Sequence, residues 1–167
     1  QTYRVRADGQ EWTFRTRAAP PDLSARQLTV APDGSADFCT IQGAIDTVPD
    51  DPSGPPWQIT VLPGTYWELV YVNPQKPPLT IVGADRETTV VQYANNNTLN
   101  PTSRTRAVFG ADAADFTLAR MTVRNLTPNG CGNQGQPCAQ GGQAEAFRGE
   151  AERMVLEDVK LLSFQDT

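Results

Sequence analysis

Two polar side chains near the end of the sequence, Gln165 and Asp166, are the first candidates for a chemical site. They follow directly after the apolar run "LLSF". An amide can donate a hydrogen bond to a developing oxyanion, and a protonated carboxyl group can donate a proton to a leaving group. The alternative interpretation is that both residues belong to a turn and satisfy backbone groups there.

The absence of histidine limits the catalytic mechanisms that this chain could use. Because the 167 residues include no histidine, neither a Ser-His-Asp nor a Cys-His catalytic set can form within this chain. Any hydrolysis must therefore rest on carboxylates, amides and arginine. With no histidine and few cysteines, we predict neither a metal nor another cofactor.

Three cysteines are present: Cys39, Cys131 and Cys138. The last two bracket the short segment "GNQGQP", and we interpret them as a disulfide formed in an oxidising compartment, with free thiols as the alternative. We expect Cys39 to be a small buried hydrophobe, or to pair with a segment absent from this chain, because no imidazole could activate it as a nucleophile.

The bulk composition favours one domain and disfavours some partners. A net charge of −5 and a pI near 4.7 argue against a nucleic-acid binder. No apolar run of 18 residues occurs, so we expect no membrane span. The chain begins with Gln1 rather than Met, and we expect a mature chain, extracellular or periplasmic, whose leader has been removed.

The positioning elements are mostly short strands. Residues 1–26 form a hairpin-like or extended N-terminal extension, and residues 27–167 form the main domain. The segment "LTVAPDGSADFCTIQGAIDTVP" predicts a strand, a turn and an amphipathic helix. That helix places four apolar side chains on one face: Ile41, Ala44, Ile45 and Val48. We expect Trp57 and Trp67, in the strands that follow, to be packed in the interior.

One spacing of apolar residues occurs twice. "FTLARMTV" and "MVLEDVKL" both have apolar residues at the first, third, sixth and eighth positions. This spacing predicts two short strands joined by a bend, with alternate side chains directed inward. Repetition of such a unit is typical of a stacked β-solenoid, although a β-sandwich could produce one such match. The predicted interior comprises Ile59, Val61, Ile81, Phe116, Leu118, Met121, Val123, Leu156, Val159 and Leu161.

Five segments, in order from Leu28 to Thr167, resemble the pectin methylesterase (pectinesterase) family. They are "DFCTIQGAIDTVP", "ITVLPGTYWELVYV", "LTIVGADRETTVV", "QAEAFR" and "FQDT". The resemblance implies an all-β fold, a right-handed parallel β-helix with an N-terminal capping helix. It also implies a hydrolase that removes methyl esters from pectin, with this polysaccharide as its partner and no nucleic acid or membrane.

The resemblance also implies roles for individual residues. Asp166 is the expected general acid/base, and Gln143 and Gln165 are the expected oxyanion donors. Thr102 or Ser103 occupies a position that resembles a substrate contact. Ester hydrolysis with two carboxylates needs one that attacks the carbonyl carbon and another that protonates the departing methanol.

The family's nucleophilic aspartate and its active-site arginine lie in later segments that have no counterpart here. We therefore expect a fold truncated at its C-terminal side, with the missing part of the same protein as a partner, and an inactive isolated chain. Glu145 is the one internal candidate for a substitute nucleophile, since it lies two residues after Gln143 and alternate strand residues share a face. Family members carry an apolar residue there, which argues against that role.

Two other functions remain open on the sequence. One is a noncatalytic β-solenoid that binds polysaccharide or serves as a structural module, and the other is a related β-helical esterase or thioesterase. Asn96 and Asn125 each begin an Asn-x-Thr sequon. We interpret the first as part of a polar surface loop, and Pro128 disfavours modification of the second.

Overall fold

The chain is built from short strands and one helix. The computed structural model describes residues 2–15, 19–128 and 143–164. The strands are β1 (Thr2–Ala7), β2 (Gln10–Arg15), β3 (Gln27–Val30), β4 (Trp57–Val61), β5 (Gly64–Trp67), β6 (Val70–Val72), β7 (Leu79–Gly83), β8 (Thr89–Tyr93), β9 (Phe109–Ala111), β10 (Phe116–Ala119), β11 (Thr122–Asn125), β12 (Phe147–Gly149), β13 (Val155–Glu157) and β14 (Lys160–Leu162), and the helix is α1 (Ile41–Thr47).

Strands β3 to β14 stack into three parallel sheets. Their orders are β13-β10-β7-β4-β3, β14-β11-β8-β5 and β12-β9-β6. Three successive strands, one from each sheet, make one coil, and every pairing in these sheets is parallel. The predicted β-solenoid is therefore confirmed, and the alternative of an antiparallel sandwich is wrong.

The two copies of the repeated spacing occupy equivalent places in this stack. Strands β10 and β11 of one copy pair with β13 and β14 of the other. In both copies the bend residue has a positive φ, 51° at Arg120 and 51° at Asp158. This left-handed conformation turns the chain sharply between the two strands. The predicted strand-bend-strand unit is confirmed.

Helix α1 covers the start of the solenoid. Thr40 caps it, since the Thr40 hydroxyl accepts a hydrogen bond from the Gly43 amide at 3.2 Å. The Glu68 carboxylate accepts two further hydrogen bonds, from the amides of Ile41 at 2.8 Å and Gln42 at 2.9 Å. The predicted apolar face, which comprises Ile41, Ala44, Ile45 and Val48, is buried.

Most of the predicted interior is confirmed. Seven of the ten residues are fully buried: Ile59, Val61, Ile81, Phe116, Leu118, Met121 and Val123. Val159 and Leu161 are half-buried and pack against the core. The prediction for Leu156 is wrong, because its side chain is 43% exposed. Within the described residues β13 is the outermost strand of its sheet, so no further coil covers it there.

The N-terminal extension contains an antiparallel hairpin, one of the two predicted alternatives. Strands β1 and β2 pair from Thr2 with Arg15 to Ala7 with Gln10. Two arginines on this hairpin, Arg4 and Arg6, approach the same carboxylate of Glu11.

Two further predictions of burial are wrong. Cys39 is an exposed free thiol, because it lies in the turn just before α1. Trp67 is 64% exposed, whereas its neighbour Tyr66 is 2% exposed. Side chains alternate between the two faces of β5, and Tyr66 takes the inner one. Trp57 is buried as predicted. The predicted disulfide between Cys131 and Cys138 lies outside the described residues.

Candidate active site

Gln143 lies just before β12, at the edge of the three-stranded sheet. Ala144 and Ala146 are buried, whereas Gln143 and Glu145 are half-buried on the other face. The predicted common face of Gln143 and Glu145 is therefore present. Within residues 2–15, 19–128 and 143–164 the Gln143 side-chain amide has no hydrogen-bond partner.

The backbone around Gln143 is held in place by the preceding coil. The carbonyl of Gln143 accepts a hydrogen bond from the Asn97 amide at 3.1 Å, and the carbonyl of Glu145 accepts one from the Val108 amide at 3.1 Å. The carbonyl of Ala146 is bonded to the Phe109 amide at 3.0 Å. The half-exposed glutamine is thus carried on a well-anchored backbone.

A buried network of amide side chains lies beneath this segment. Asn95 is 0% exposed, and its side-chain nitrogen donates to the carbonyls of Thr105 and Ala107, both at 2.9 Å. Asn125 is 2% exposed and donates to the carbonyls of Asn95 at 2.7 Å and Glu145 at 3.0 Å. With both of its N–H groups bonded, the Asn125 amide is not accessible for glycosylation.

Glu145 forms an ion pair with Arg106. The Arg106 Nε lies 2.6 Å and 2.9 Å from the two carboxylate oxygens, and the Arg106 Nη2 lies 2.6 Å from Oε1. The side chains are only 22% and 13% exposed. A carboxylate held this way has its lone pairs directed at the guanidinium, which makes it a poor nucleophile. The geometry therefore agrees with the sequence argument against Glu145.

The loop that carries Thr102 and Ser103 runs from β8 to β9. Both residues are exposed, and the Thr102 hydroxyl lies 2.8 Å from the Thr105 hydroxyl. The same loop contributes the Asn97 amide bonded to Gln143 and the guanidinium paired with Glu145. The structure thus anchors the Thr102–Ser103 loop directly to the Gln143 segment. A neighbouring cleft of 260 Å³ is lined partly by this loop.

A second polar cluster lies on the outer face of the sheet formed by β6, β9 and β12. Asp112 accepts from the Tyr71 hydroxyl at 2.7 Å and from Arg148 at 2.8 Å. Burial, and then the bond to Asp112, raise the pKa of Tyr71. Burial would lower the pKa of Arg148, but Glu150 and Asp112 together outweigh it and raise that pKa. The Arg148 guanidinium is therefore held in ion pairs with these two carboxylates.

The sequence missed Asn95, Asn125 and Arg106 as residues of this region. Gln165 and Asp166 lie outside the described residues. Ser163, two residues before Gln165, donates a hydrogen bond to the carbonyl of Ala144 at 2.5 Å. The strand that leads toward the Gln165–Asp166 pair is thus bonded to the segment that carries Gln143. No group of three or more potential metal ligands occurs among the described residues, and no helix among them is long and apolar enough to cross a membrane.

The coils and the partly exposed amide on their outer surface define a parallel β-helix protein with a candidate polar site beside the sheet formed by β6, β9 and β12. The Pectinesterase family model matches residues 27–167. The chain belongs to the pectinesterase family.

Individual relatives agree with this assignment. Pectinesterase 31 of Arabidopsis thaliana is 32% identical over 158 residues, which cover 86% of this chain and 45% of that protein. A pectin methylesterase solved in complex with a hexasaccharide has a TM-score of 0.69 and 23% identity, over 84% of this chain and 44% of that one. The pectin methylesterase of Erwinia chrysanthemi has a TM-score of 0.68 and 24% identity, over the same shares.

These similarities show that the fold is the predicted right-handed parallel β-helix. The chain spans less than half the length of each of these three proteins.

Proposed function

We propose that the protein hydrolyses the methyl esters of pectin and acts outside the cell or in the periplasm. The observation that carries this proposal is the family match over residues 27–167, together with the Gln143 side-chain amide on the outer surface of the solenoid, which has no partner among the described residues. The hexasaccharide bound in a structural relative supports a polysaccharide substrate. In this proposal residues 1–26 are an extension outside the esterase domain.

The proposed mechanism divides the work among a few side chains. Attack on the ester carbonyl places negative charge on its oxygen, and neutral amide donors such as Gln143 and Gln165 stabilise that charge. Removal of one such donor typically costs about 2.7–4 kcal/mol of barrier. Asp166 donates a proton to the departing methanol. Thr102 or Ser103 contacts the polysaccharide from the loop anchored beside Gln143.

The attacking carboxylate, in this proposal, comes from polypeptide outside residues 1–167. Glu145 is the nearest carboxylate to Gln143 in the sequence, and its short contacts with Arg106 leave it poorly placed for attack. A second carboxylate close to Asp166 would also favour the protonated form that an acid needs, because two neighbouring carboxylates cannot both ionise freely.

Methanol release from highly methylated pectin tests the proposal. In the full-length protein, Asp166→Asn should remove most of the activity and leave folding intact, since the amide keeps the shape but cannot donate the carboxyl proton. Asp158→Asn makes the same charge change on the exposed bend between β13 and β14 and should retain activity. Wild-type turnover by the Asp166 variant would end the acid/base assignment. Binding of pectin by the wild type without methanol release would favour a noncatalytic solenoid.

Residues 1–167 alone should release methanol at no enzymatic rate. The comparison is between this chain and the full-length protein on the same substrate. Robust release by the chain alone, abolished by Glu145→Gln, would overturn the assignment and make Glu145 the nucleophile.

A further inference from the structure

The segment that carries Gln143 receives one side-chain hydrogen bond from its own coil and one from the next coil. Asn125, the last residue of β11, donates to the carbonyl of Glu145 at 3.0 Å. Ser163, directly after β14, donates to the carbonyl of Ala144 at 2.5 Å. Arg124 pairs with Leu162 in the ladder between these strands, so Asn125 and Ser163 occupy successive levels of one corner of the solenoid.

Main-chain donors complete the set. The Asn97 amide binds the carbonyl of Gln143, and the Val108 amide shares the carbonyl of Glu145 with Asn125. Three consecutive carbonyls, those of residues 143–145, are thus held by groups from three different coils. The side-chain amide of Gln143, in contrast, has no partner among the described residues. Its direction is therefore set by the backbone that carries it.

We propose that Asn125 and Ser163 are positioning residues for Gln143, and this inference rests on the proposed function. A preorganised donor stabilises an oxyanion only when it already points at the place where the charge develops. A shift of about 1 Å in such a group can cost roughly a hundredfold in rate. Asn125 fixes the segment from its own coil, and Ser163 fixes it from the next.

Ser163 also lies close in the sequence to the other proposed site residues. It precedes Gln165 by two residues and Asp166 by three. One hydroxyl therefore restrains the Gln143 segment and the start of the segment that carries the other proposed site residues.

Variants of Ser163 in the full-length protein separate positioning from general stability. Ser163→Ala removes the hydroxyl, whereas Ser163→Thr keeps it. Thr122→Val is the matched control, because the Thr122 hydroxyl donates to the carbonyl of Arg86 at 2.7 Å on the same strand as Asn125 but away from Gln143. For Ser163→Ala we expect kcat for methanol release to fall about tenfold or more with little change in KM. Ser163→Thr and Thr122→Val should stay close to the wild type.

Amide hydrogen exchange gives a readout that does not depend on activity. In Ser163→Ala and in Asn125→Asp, the amides of Asn97 and Val108 should exchange about fivefold faster, because they bond to the freed segment. In Thr122→Val these amides should keep their protection.

Several results would contradict the positioning role of Ser163 and Asn125. Unchanged exchange and unchanged kcat in Ser163→Ala would overturn the proposal, as would equal losses in Thr122→Val. Loss of kcat in Ser163→Thr as great as in Ser163→Ala would also contradict it, since the hydroxyl is retained. If the wild type releases no methanol, the proposed function fails, and exchange alone decides whether the two side chains restrain the segment.

Discussion

Two segments with the same apolar spacing have different environments. Phe116, Leu118, Met121 and Val123, in the first copy, are all fully buried. Their counterparts in the second copy lie one coil further along, and there Leu156 is 43% exposed. The bends match, as do the paired strands. The spacing therefore determines which way each side chain points, and the neighbouring coil determines whether that direction is buried.

The largest expected effect is the difference between Leu118→Ala and Leu156→Ala. The two leucines are partners in the ladder between β10 and β13. Leu118→Ala should lower the free energy of unfolding by about 2–5 kcal/mol, because it leaves a cavity in a closed interior. Leu156→Ala should cost less than about 1 kcal/mol, because its side chain is already largely in solvent. Urea denaturation of residues 1–167 measures both. Equal losses would contradict the contrast between the two copies.

Glycine substitutions compare the same two regions, and we expect them to cause an intermediate loss of stability. A Cβ on Gly83 would lie 2.2 Å from the carbonyl oxygen of Arg120, a backbone atom that cannot move easily. Gly83→Ala should therefore cost about 1–3 kcal/mol through overpacking. A Cβ on Gly149 would meet the Met154 sulfur at 2.6 Å. That flexible, half-buried side chain can move away, so Gly149→Ala should unfold at a higher urea concentration than Gly83→Ala. The reverse order would show that the outer coil is packed as rigidly as the interior.

A smaller effect concerns the helix-covered end and depends on pH. Burial raises the pKa of Glu68, although its two amide hydrogen bonds act in the opposite direction. The folded state thus binds this proton more tightly than the unfolded state does. Its contribution to stability is then lost as pH rises from the unfolded pKa through the folded pKa. Relative to Glu68→Gln, the wild type should lose stability as the pH rises above 4.5, the ordinary pKa of a glutamate. A relative gain over that range would mean that the amide bonds outweigh burial.

The smallest expected effect concerns the reactivity of the cysteine thiols and not the stability of the fold. Cys39, near the helix-covered end, is exposed, and Cys131 and Cys138 are predicted to form a disulfide. The unreduced protein should therefore react with a thiol reagent at one site only, located by peptide mapping at Cys39. Labelling at Cys131 or Cys138 would contradict the disulfide prediction, and Cys39→Ser supplies the matched control.

Much of this protein could be predicted from local sequence. The amphipathic helix, the repeated strand-bend-strand unit and the common face of Gln143 and Glu145 all depend on spacings of a few residues. Such spacings act through the geometry of the helix and the strand, which is the same in every fold. The handedness of the β-helix was instead implied by the resemblance of five segments, in order, to the pectinesterase family.

Only the tertiary structure decided the partners of those side chains. Asn125 looked like the first residue of a sequon, yet it is buried and bonded to Asn95 and Glu145. Nothing in the local sequence links Arg106 to Glu145, yet its guanidinium binds that carboxylate, 39 residues away. Such contacts join different coils, and their existence depends on the length of each loop and the register of each ladder. A spacing within one strand contains no information about either, so burial at Leu156 and the anchoring of Gln143 could not be predicted from sequence.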